Sequence, residues 1–327
     1  MNEVTLSGSA YEIGEQYGEM LEGWGFQPEP ITDAQRRFVA DCVPLVEDVA
    51  PAVLDELRGI ADAGGWSLER VRAIPLSLGW DAGCTVVALS GEFTADGTPL
   101  FGRNYDFSPE FADYATLYRT DPDTGLAHVG CSDHWIGRHD GVNEAGLAVG
   151  HSFVPHRGLE PGVMFALAAR TVLETCETVD DGVTFLERVP HARNTNFLLA
   201  DSTGAIALVE ASPGDVTTTV FDGMGVATNH FQTPAMAVYE PDDEGRPDSD
   251  ARLAALREWT NTASGPIRLT DLQSTLADPE TGICACASES DESSVETLWS
   301  WTATLDLPET HLASGRPDRN PYDPVRL

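Results

Sequence analysis

Gly83-Cys84-Thr85 opens an apolar run, Thr85-Val86-Val87-Ala88-Leu89, whose β-branched and aliphatic side chains suit a pleated, half-buried strand. Ala95-Asp96-Gly97-Thr98 supplies a turn, because Asp and Gly tolerate the positive φ of tight hairpin loops. The return strand runs from Pro99 to Phe107. It ends in Gly102-Arg103-Asn104-Tyr105-Asp106-Phe107 and carries Arg103 and Asp106 back beside Cys84. A thiol, a cation and a carboxylate gathered across one hairpin form a chemical constellation. Gly83 adds to it, since a residue without Cβ accepts strained geometry and leaves its carbonyl open to a nucleophile. Taken alone, Cys84 reads equally as a small buried hydrophobe starting a strand; the combination favours chemistry.

The 327 residues include 53 Asp and Glu against 19 basic residues, a formal charge of −34, and all 19 are arginine. Without lysine there is no Schiff base, no Ser-Lys dyad and no Walker-type phosphate loop. Such acidity argues against nucleic acid and anionic membranes as partners, because both are bound by neutralising phosphates. The charge is dispersed and 42% of residues are hydrophobic, which excludes a disordered acidic chain. It fits a halophilic protein, working where concentrated salt screens charge within a few ångströms. Six cysteines (Cys42, Cys84, Cys131, Cys176, Cys284, Cys286) do not make a disulfide framework at this length. No signal-like start or bilayer-length apolar run occurs, so a cytoplasmic location is expected.

Ser9-x-x-Glu12 and Thr32-x-x-Gln35 are capping boxes, each opening a helix. Phe38, Cys42, Leu45, Val49, Val53, Leu57 and Ile60 follow at helical spacing until Gly64-Gly65. Residues 1–83 are therefore expected to be mainly helical. Beyond Cys84, short strands and glycine-rich turns take over. Asp140 to Val149 reads as a turn feeding a strand, Gly162 to Val189 as two helices broken near Thr178, and Asn196 to Glu210 as a hairpin. Val216 to Thr228 gives two more strands, 242–248 a solvated loop and Ala251 to Trp259 a helix. Strands, a helix pair and strands again predict a layered α+β sandwich.

The Gly-Cys-Thr step, the Gly-Arg-Asn-Tyr-Asp segment and their order resemble the mature start of cysteine-type N-terminal-nucleophile hydrolases. These are the choloylglycine hydrolase and penicillin V acylase group and the similar isopenicillin N acyltransferase-like autoproteolytic hydrolases. Asp-Gly-Val-Asn-Glu-Ala-Gly-Leu at 140–147 is similar too. The resemblance implies a four-layer αββα catalytic domain over 84–327. Before it would lie a mainly helical propeptide, 1–83, that becomes a second subunit when the chain is cut between Gly83 and Cys84. Cys84 would attack the Gly83 carbonyl and water would resolve the ester. The freed α-amine, with a reference pKa of about 7.7–8.0, would then serve as base for its own thiol. Arg103 beside the sulfur would favour the thiolate, and Asp106 would hold the α-amine by a charge-assisted hydrogen bond.

Val226-Ala227-Thr228-Asn229-His230-Phe231 resembles the family's Thr-Asn segment, implying Asn229 as an oxyanion donor, although asparagine also commonly shapes a turn. Ser249-Asp250-Ala251-Arg252 resembles the Ser-x-x-Arg that supplies a second active-site arginine; the plain alternative is a surface pair on an acidic helix. Asn143 and Asn196 are candidate orienting residues or turn asparagines. Bile-salt-type members carry an asparagine or tyrosine where this chain has Gly150-His151-Ser152-Phe153. His151 and Ser152 are accordingly candidate substrate contacts, and specificity for bile salts or penicillin V is not expected. His134 with His139, and His151 with His156, lack a helical register with acids, and no His-Glu-x-x-His occurs. Neither a metal nor another cofactor is expected. Cys131-Ser132-Asp133-His134 is not read as a Cys-His dyad, whose partners are normally distant in sequence.

The resulting expectation is an autoproteolytic cysteine amidase. It would hydrolyse a linear C–N amide of a small N-acylated amine or amino acid through a Cys84 acyl-thioester. Two alternatives stay open: acyl transfer to an acceptor amine, and a non-catalytic, uncut protein of the same fold. Expected partners are the small-molecule amide and the chain's own propeptide, with assembly into a homo-oligomer also open.

Overall fold

A computed structural model describes residues 1–77, 83–133, 136–241, 247–263, 265–287, 295–306 and 308–327. His134 and most of the loop expected over 242–248 lie outside these residues. Strand β1 (Asn2–Gly8) leads into helices α1 (Ala10–Gly23), α2 (Asp33–Val49), α3 (Pro51–Gly64) and α4 (Leu68–Ser77). Both expected capping boxes form, Ser9 with Glu12 and Thr32 with Gln35. The apolar run from Phe38 to Ile60 is split in two. Ala50 leaves helical geometry, and Pro51 starts α3 at a first-turn position where a missing N–H goes unfelt. Gly65, left-handed at φ 64°, closes α3.

After the helices come β2 (Gly83–Leu89), β3 (Leu100–Phe107), β4 (Thr116–Pro122), β5 (His128–Ser132), β6 (Asp140–Asn143) and β7 (Ala148–Phe153). Helices α5 (Phe165–Thr175) and α6 (Val179–Leu186) follow, with Thr178 capping the second. Next are β8 (Thr195–Ala200), β9 (Ile206–Ala211), β10 (Val216–Val220) and β11 (Met224–Ala227). Helices α7 (Pro247–Thr262) and α8 (Leu269–Leu276) precede β12 (Glu296–Thr304), β13 (Glu309–Ser314) and β14 (Asp323–Val325). The segment from Asp140 to Val149 is a hairpin, β6–β7, rather than a turn feeding a single strand. Its Asp140 end is a paired strand residue.

The strands form two sheets, ordered β1-β4-β5-β6-β7-β8-β9-β10 and β11-β2-β3-β12-β13-β14. Period-two alternation sorts each strand's side chains between layers. Cys84, Val86 and Ala88 of β2 point between the sheets, where they join Phe101, Tyr105, Val129, Val142 and Trp299. Val87 and Leu89 point outward against Leu253, Leu256, Leu272 and Leu276 of α7 and α8. The far face of the eight-stranded sheet buries Val149, Phe197 and Val209 against α5, α6 and the four N-terminal helices. The order of layers is therefore helix, sheet, sheet, helix, the arrangement expected.

Residues 1–77 are built into this body. Strand β1 pairs in parallel with β4 at the sheet's edge, Asn2 opposite Thr116. Glu56 of α3 forms a buried bidentate pair with Arg170 of α5, both contacts at 2.6 Å. Tyr17 of α1 accepts from Arg138 at 3.1 Å. Helices α1 and α3 cross closely: a Cβ at Gly14 would lie 2.1 Å from the Glu56 carbonyl oxygen, and one at Gly59 the same distance from that of Tyr11.

Two histidines sit in this interior with their charge suppressed. Burial pushes His128 down to about 3 and His191 down to about 4, from an ordinary value of 6.5. Each stays neutral in the fold but takes up a proton on unfolding below pH 6.5, so its contribution to stability is full above that pH and falls away towards 3–4. At pH 5 the loss is roughly 2 kcal/mol for each histidine. Urea unfolding in 2 M KCl, where general repulsion is screened, is expected to show lower stability at pH 5 than at pH 7.5; an unchanged midpoint would contradict it.

Candidate active site

Residues 103 and 106 are three apart on β3, so alternation sends them to opposite faces of the sheet. Arg103 lies on the inner face with Cys84. Its Nη2 donates to Cys84 Sγ at 3.1 Å, while its Nη1 pairs with the Asp140 carboxylate. Both Arg103 and Asp140 are fully buried. Asp140 is held in turn by Trp299 Nε1 at 2.9 Å and the Cys131 N–H at 3.0 Å.

Asp106 lies on the outer face, opposite Gly83 in the β2–β3 register. Its Oδ1 accepts from Thr297 Oγ1 at 2.6 Å, and its Oδ2 is 3.9 Å from Arg252 Nη1. A Cβ at residue 83 would come within 3.0 Å of the Asp106 Cβ, which gives the glycine a local steric reason. Arg252 projects from the first turns of α7. It donates to the Cys84 carbonyl at 2.5 Å, Thr85 Oγ1 at 2.7 Å and Asn229 Oδ1 at 2.7 Å.

Asn229 begins where the β11 ladder stops. Beyond the last β2–β11 pair, Val86 with Ala227, the Cys84 N–H donates to Asn229 Oδ1 at 2.9 Å. Asn229 Nδ2 donates to the Phe153 carbonyl at 2.9 Å. Two donors on one side and an acceptor on the other fix the amide's orientation. In this uncut chain Asn229 therefore turns its carbonyl oxygen to the nucleophile's nitrogen. In the intact chain Asn229 meets the Cys84 peptide nitrogen, and the Asn229 amide N–H is engaged by the Phe153 carbonyl.

The structure brings Cys84, Gly83, Arg103, Asp106, Asn229 and Arg252 together. Asn196 and Ser152 support them from behind. Asn196 Nδ2 donates to the carbonyls of Thr228 and His230 at 3.0 Å each, and Ser152 Oγ to that of Thr228 at 2.6 Å. Asn143 and His151 lie elsewhere. Asn143 ends β6 at the opposite end from Asp140, and its amide closes the last turn of α5 through Leu173 and Cys176. His151 faces Phe165 and hydrogen bonds His139 at 2.6 Å, in a buried chain that continues to Asp133 and Tyr105. Asp140, Thr297 and Phe153 were not singled out from the sequence. Only Asp140 left a signal, as the first residue of the Asp-Gly-x-Asn-Glu string.

Burial raises the Cys84 thiol above its ordinary value, and Arg103 only partly offsets this. The expected thiolate is thus not the resting form while the chain is intact. Burial likewise raises the Asp106 carboxyl, against the pull of Arg252, Thr297 and Arg103.

The two facing sheets between helical layers, with a thiol at the start of an inner strand, define the fold of the N-terminal-nucleophile hydrolases. Two solved structures of conjugated bile acid hydrolase from Clostridium perfringens share it. One, an arginine-to-leucine variant, has a TM-score of 0.55 at 15% identity, covering 74% of this chain and 92% of that one. The other, a cysteine-to-alanine mutant, has a TM-score of 0.52 at 16% identity, covering 75% and 97%. A family model, acyl-coenzyme A:6-aminopenicillanic acid acyl-transferase, matches residues 93–319, and the chain belongs to that family. An uncharacterized protein of Archaeoglobus fulgidus is 25% identical over an alignment of 247 positions, with 61% of this chain and 41% of that protein's length covered. The activity in that family's name is acyl transfer. Among the described residues no helix is long and apolar enough to cross a membrane.

Proposed function

We propose that this chain is a precursor that cuts itself between Gly83 and Cys84 and then hydrolyses a linear amide of a small N-acylated amine or amino acid. The observation that carries the reading is the treatment of Cys84 itself. Its sulfur meets a guanidinium, its nitrogen a side-chain acceptor 145 residues away, and its carbonyl a second guanidinium. The sulfur, the nitrogen and the carbonyl oxygen of this one residue are each held by a side chain. The family match begins at residue 93, so the case for Cys84 rests on this geometry.

In the first step Cys84 Sγ bonds the Gly83 carbonyl carbon, the Gly83–Cys84 C–N bond breaks, and the thiol proton ends on the departing nitrogen. The raised Asp106 carboxyl, beside Gly83, is suited to pass a proton at this point. Water then hydrolyses the thioester, releasing the Gly83 carboxylate, restoring the thiol and leaving Cys84 as a free N-terminus. Asn229 Oδ1 retains the new amine, which acts as base for the thiol when substrate binds. A backbone N–H close to the sulfur is the candidate oxyanion donor. Water releases the acid from the acyl-thioester.

Denaturing intact-mass spectrometry tests the cut: an 83-residue chain and a 244-residue chain beginning with Cys84 are expected. A single 327-residue mass would favour the non-catalytic reading. The family's printed activity favours a second reading, acyl transfer. Hydroxylamine added during turnover separates the two, since a transferase diverts product to the hydroxamate. We read the −34 charge as adaptation to concentrated salt in a cytoplasmic setting. The melting temperature is expected to rise between 0.1 and 2 M KCl; a flat response would argue for a low-salt protein.

A further inference from the structure

Ser249 and His230 lie behind Asn229, away from Cys84. The Asn229 main-chain N–H can only donate, and it meets Ser249 Oγ at 2.7 Å. Ser249 therefore accepts this bond and must direct its own hydrogen elsewhere. His230 Nδ1 lies 2.7 Å from the same oxygen. For the hydroxyl to donate there, Nδ1 has to be the unprotonated nitrogen, which puts the ring proton on Nε2, 3.4 Å from Asp250 Oδ1. Thr228 Oγ1 also stands 3.3 Å from Nδ1. Ser249 is only 2% exposed. It is three residues before Arg252, on the same face of α7. One helical turn thus sets both the guanidinium on the Asn229 amide and the hydroxyl on the Asn229 backbone.

We propose that Ser249 and His230 are positioning residues: the pair fixes the Asn229 main chain, and with it the amide that holds the Cys84 nitrogen, while His230 Nδ1 is unprotonated. This rests on the reading of Cys84 as the N-terminal nucleophile. The charged groups facing the ring are Asp250 and Arg257 of α7, Arg252, and Glu210 of β9. Burial and the two arginines hold the ring below the ordinary histidine range against the two carboxylates. When His230 does take a second proton, Nδ1–H becomes a donor; Ser249 Oγ can accept it on its second lone pair, but the buried hydroxyl loses the acceptor for its own hydrogen and its oxygen is shared between two donors. Support for Asn229 weakens, and the site loses competence on the acid side for a reason separate from the thiol.

The test follows cleavage of the full-length chain by mass, and iodoacetamide alkylation of the cut protein at the Cys84 peptide, from pH 5 to 8. Ser249→Ala is expected to slow both about fivefold, the effect of one lost hydrogen bond, and Ser249→Thr to restore them to within about twofold of wild type. His230→Gln keeps an acceptor but cannot titrate, so the ratio of rates at pH 7.5 and 5.5 should move towards one. Wild-type rates in Ser249→Ala, or a His230→Gln profile superimposed on wild type, would overturn the proposal. The threonine and glutamine variants carry the test should the alanine variant misfold. If the wild-type chain is never cut, the nucleophile reading fails and this one with it; if it is cut and the variants behave as wild type, only this one fails.

Discussion

Cys84→Ala is expected to accumulate as one folded 327-residue chain with no amidase or transferase activity. The substitution removes the only atom of residue 84 that can attack Gly83, yet asks little of the fold. Cys84 is a fully buried small side chain in an apolar layer, and Arg103 keeps its Asp140 partner when the sulfur goes. Cys84→Ser is the sharper companion. The hydroxyl still meets Arg103 but is a far weaker nucleophile without an activating base, so cutting should be slow or absent. Intact mass and a melting curve on each variant check both halves. If the alanine variant still separates into two pieces, the nucleophile is another residue.

Asp140→Ala should be the most damaging single change in the site, by a different route. Arg103 is fully buried and its charge is balanced by the Asp140 carboxylate. Removing one member of a buried pair strands the other, at a typical cost of about 3–5 kcal/mol. The Trp299 Nε1–H and Cys131 N–H would lose their acceptor as well. A urea midpoint is the measurement, and loss of cleavage is expected alongside it. The double variant Arg103→Met with Asp140→Leu should recover most of the stability, because an apolar pair replaces a buried ionic one at little net cost. It should not recover cleavage. An Asp140→Ala midpoint equal to wild type would show that the guanidinium finds water or another carboxylate.

What was legible in the chain was local. Two capping boxes, the glycine closing α3, the Cys84 hairpin and the helix break at Thr178 all form within a few residues of their signals. Strand alternation was legible too, and applied to positions 103 and 106 it places them on opposite faces of β3. Arg103 meets the sulfur, whereas Asp106 turns to Thr297 and Arg252 on the other side of the sheet. What could not be read is pairing across distance. Nothing near Asp106 announces Thr297, 191 residues on, and nothing near Arg103 announces Asp140. Asn229 was found by its segment, but which end of its amide faces Cys84 depends on Arg252 and Phe153, brought in by α7 and β7. His151 and Asn143 were candidates through the family resemblance, and packing gives them buried neighbours of their own.

The way β1 and the helices before Cys84 are woven into the eight-stranded sheet has a consequence for the severed protein. Scission there would change connectivity but release nothing, since the parallel β1–β4 pairing and the Glu56–Arg170 pair remain. Gel filtration would see the same particle before and after. Denaturation would not be so forgiving: the uncut chain refolds by a first-order process, whereas two separated fragments must find each other by collision. Recovery from urea would then depend on protein concentration, and dilution alone could trap the larger fragment with a bare sheet edge.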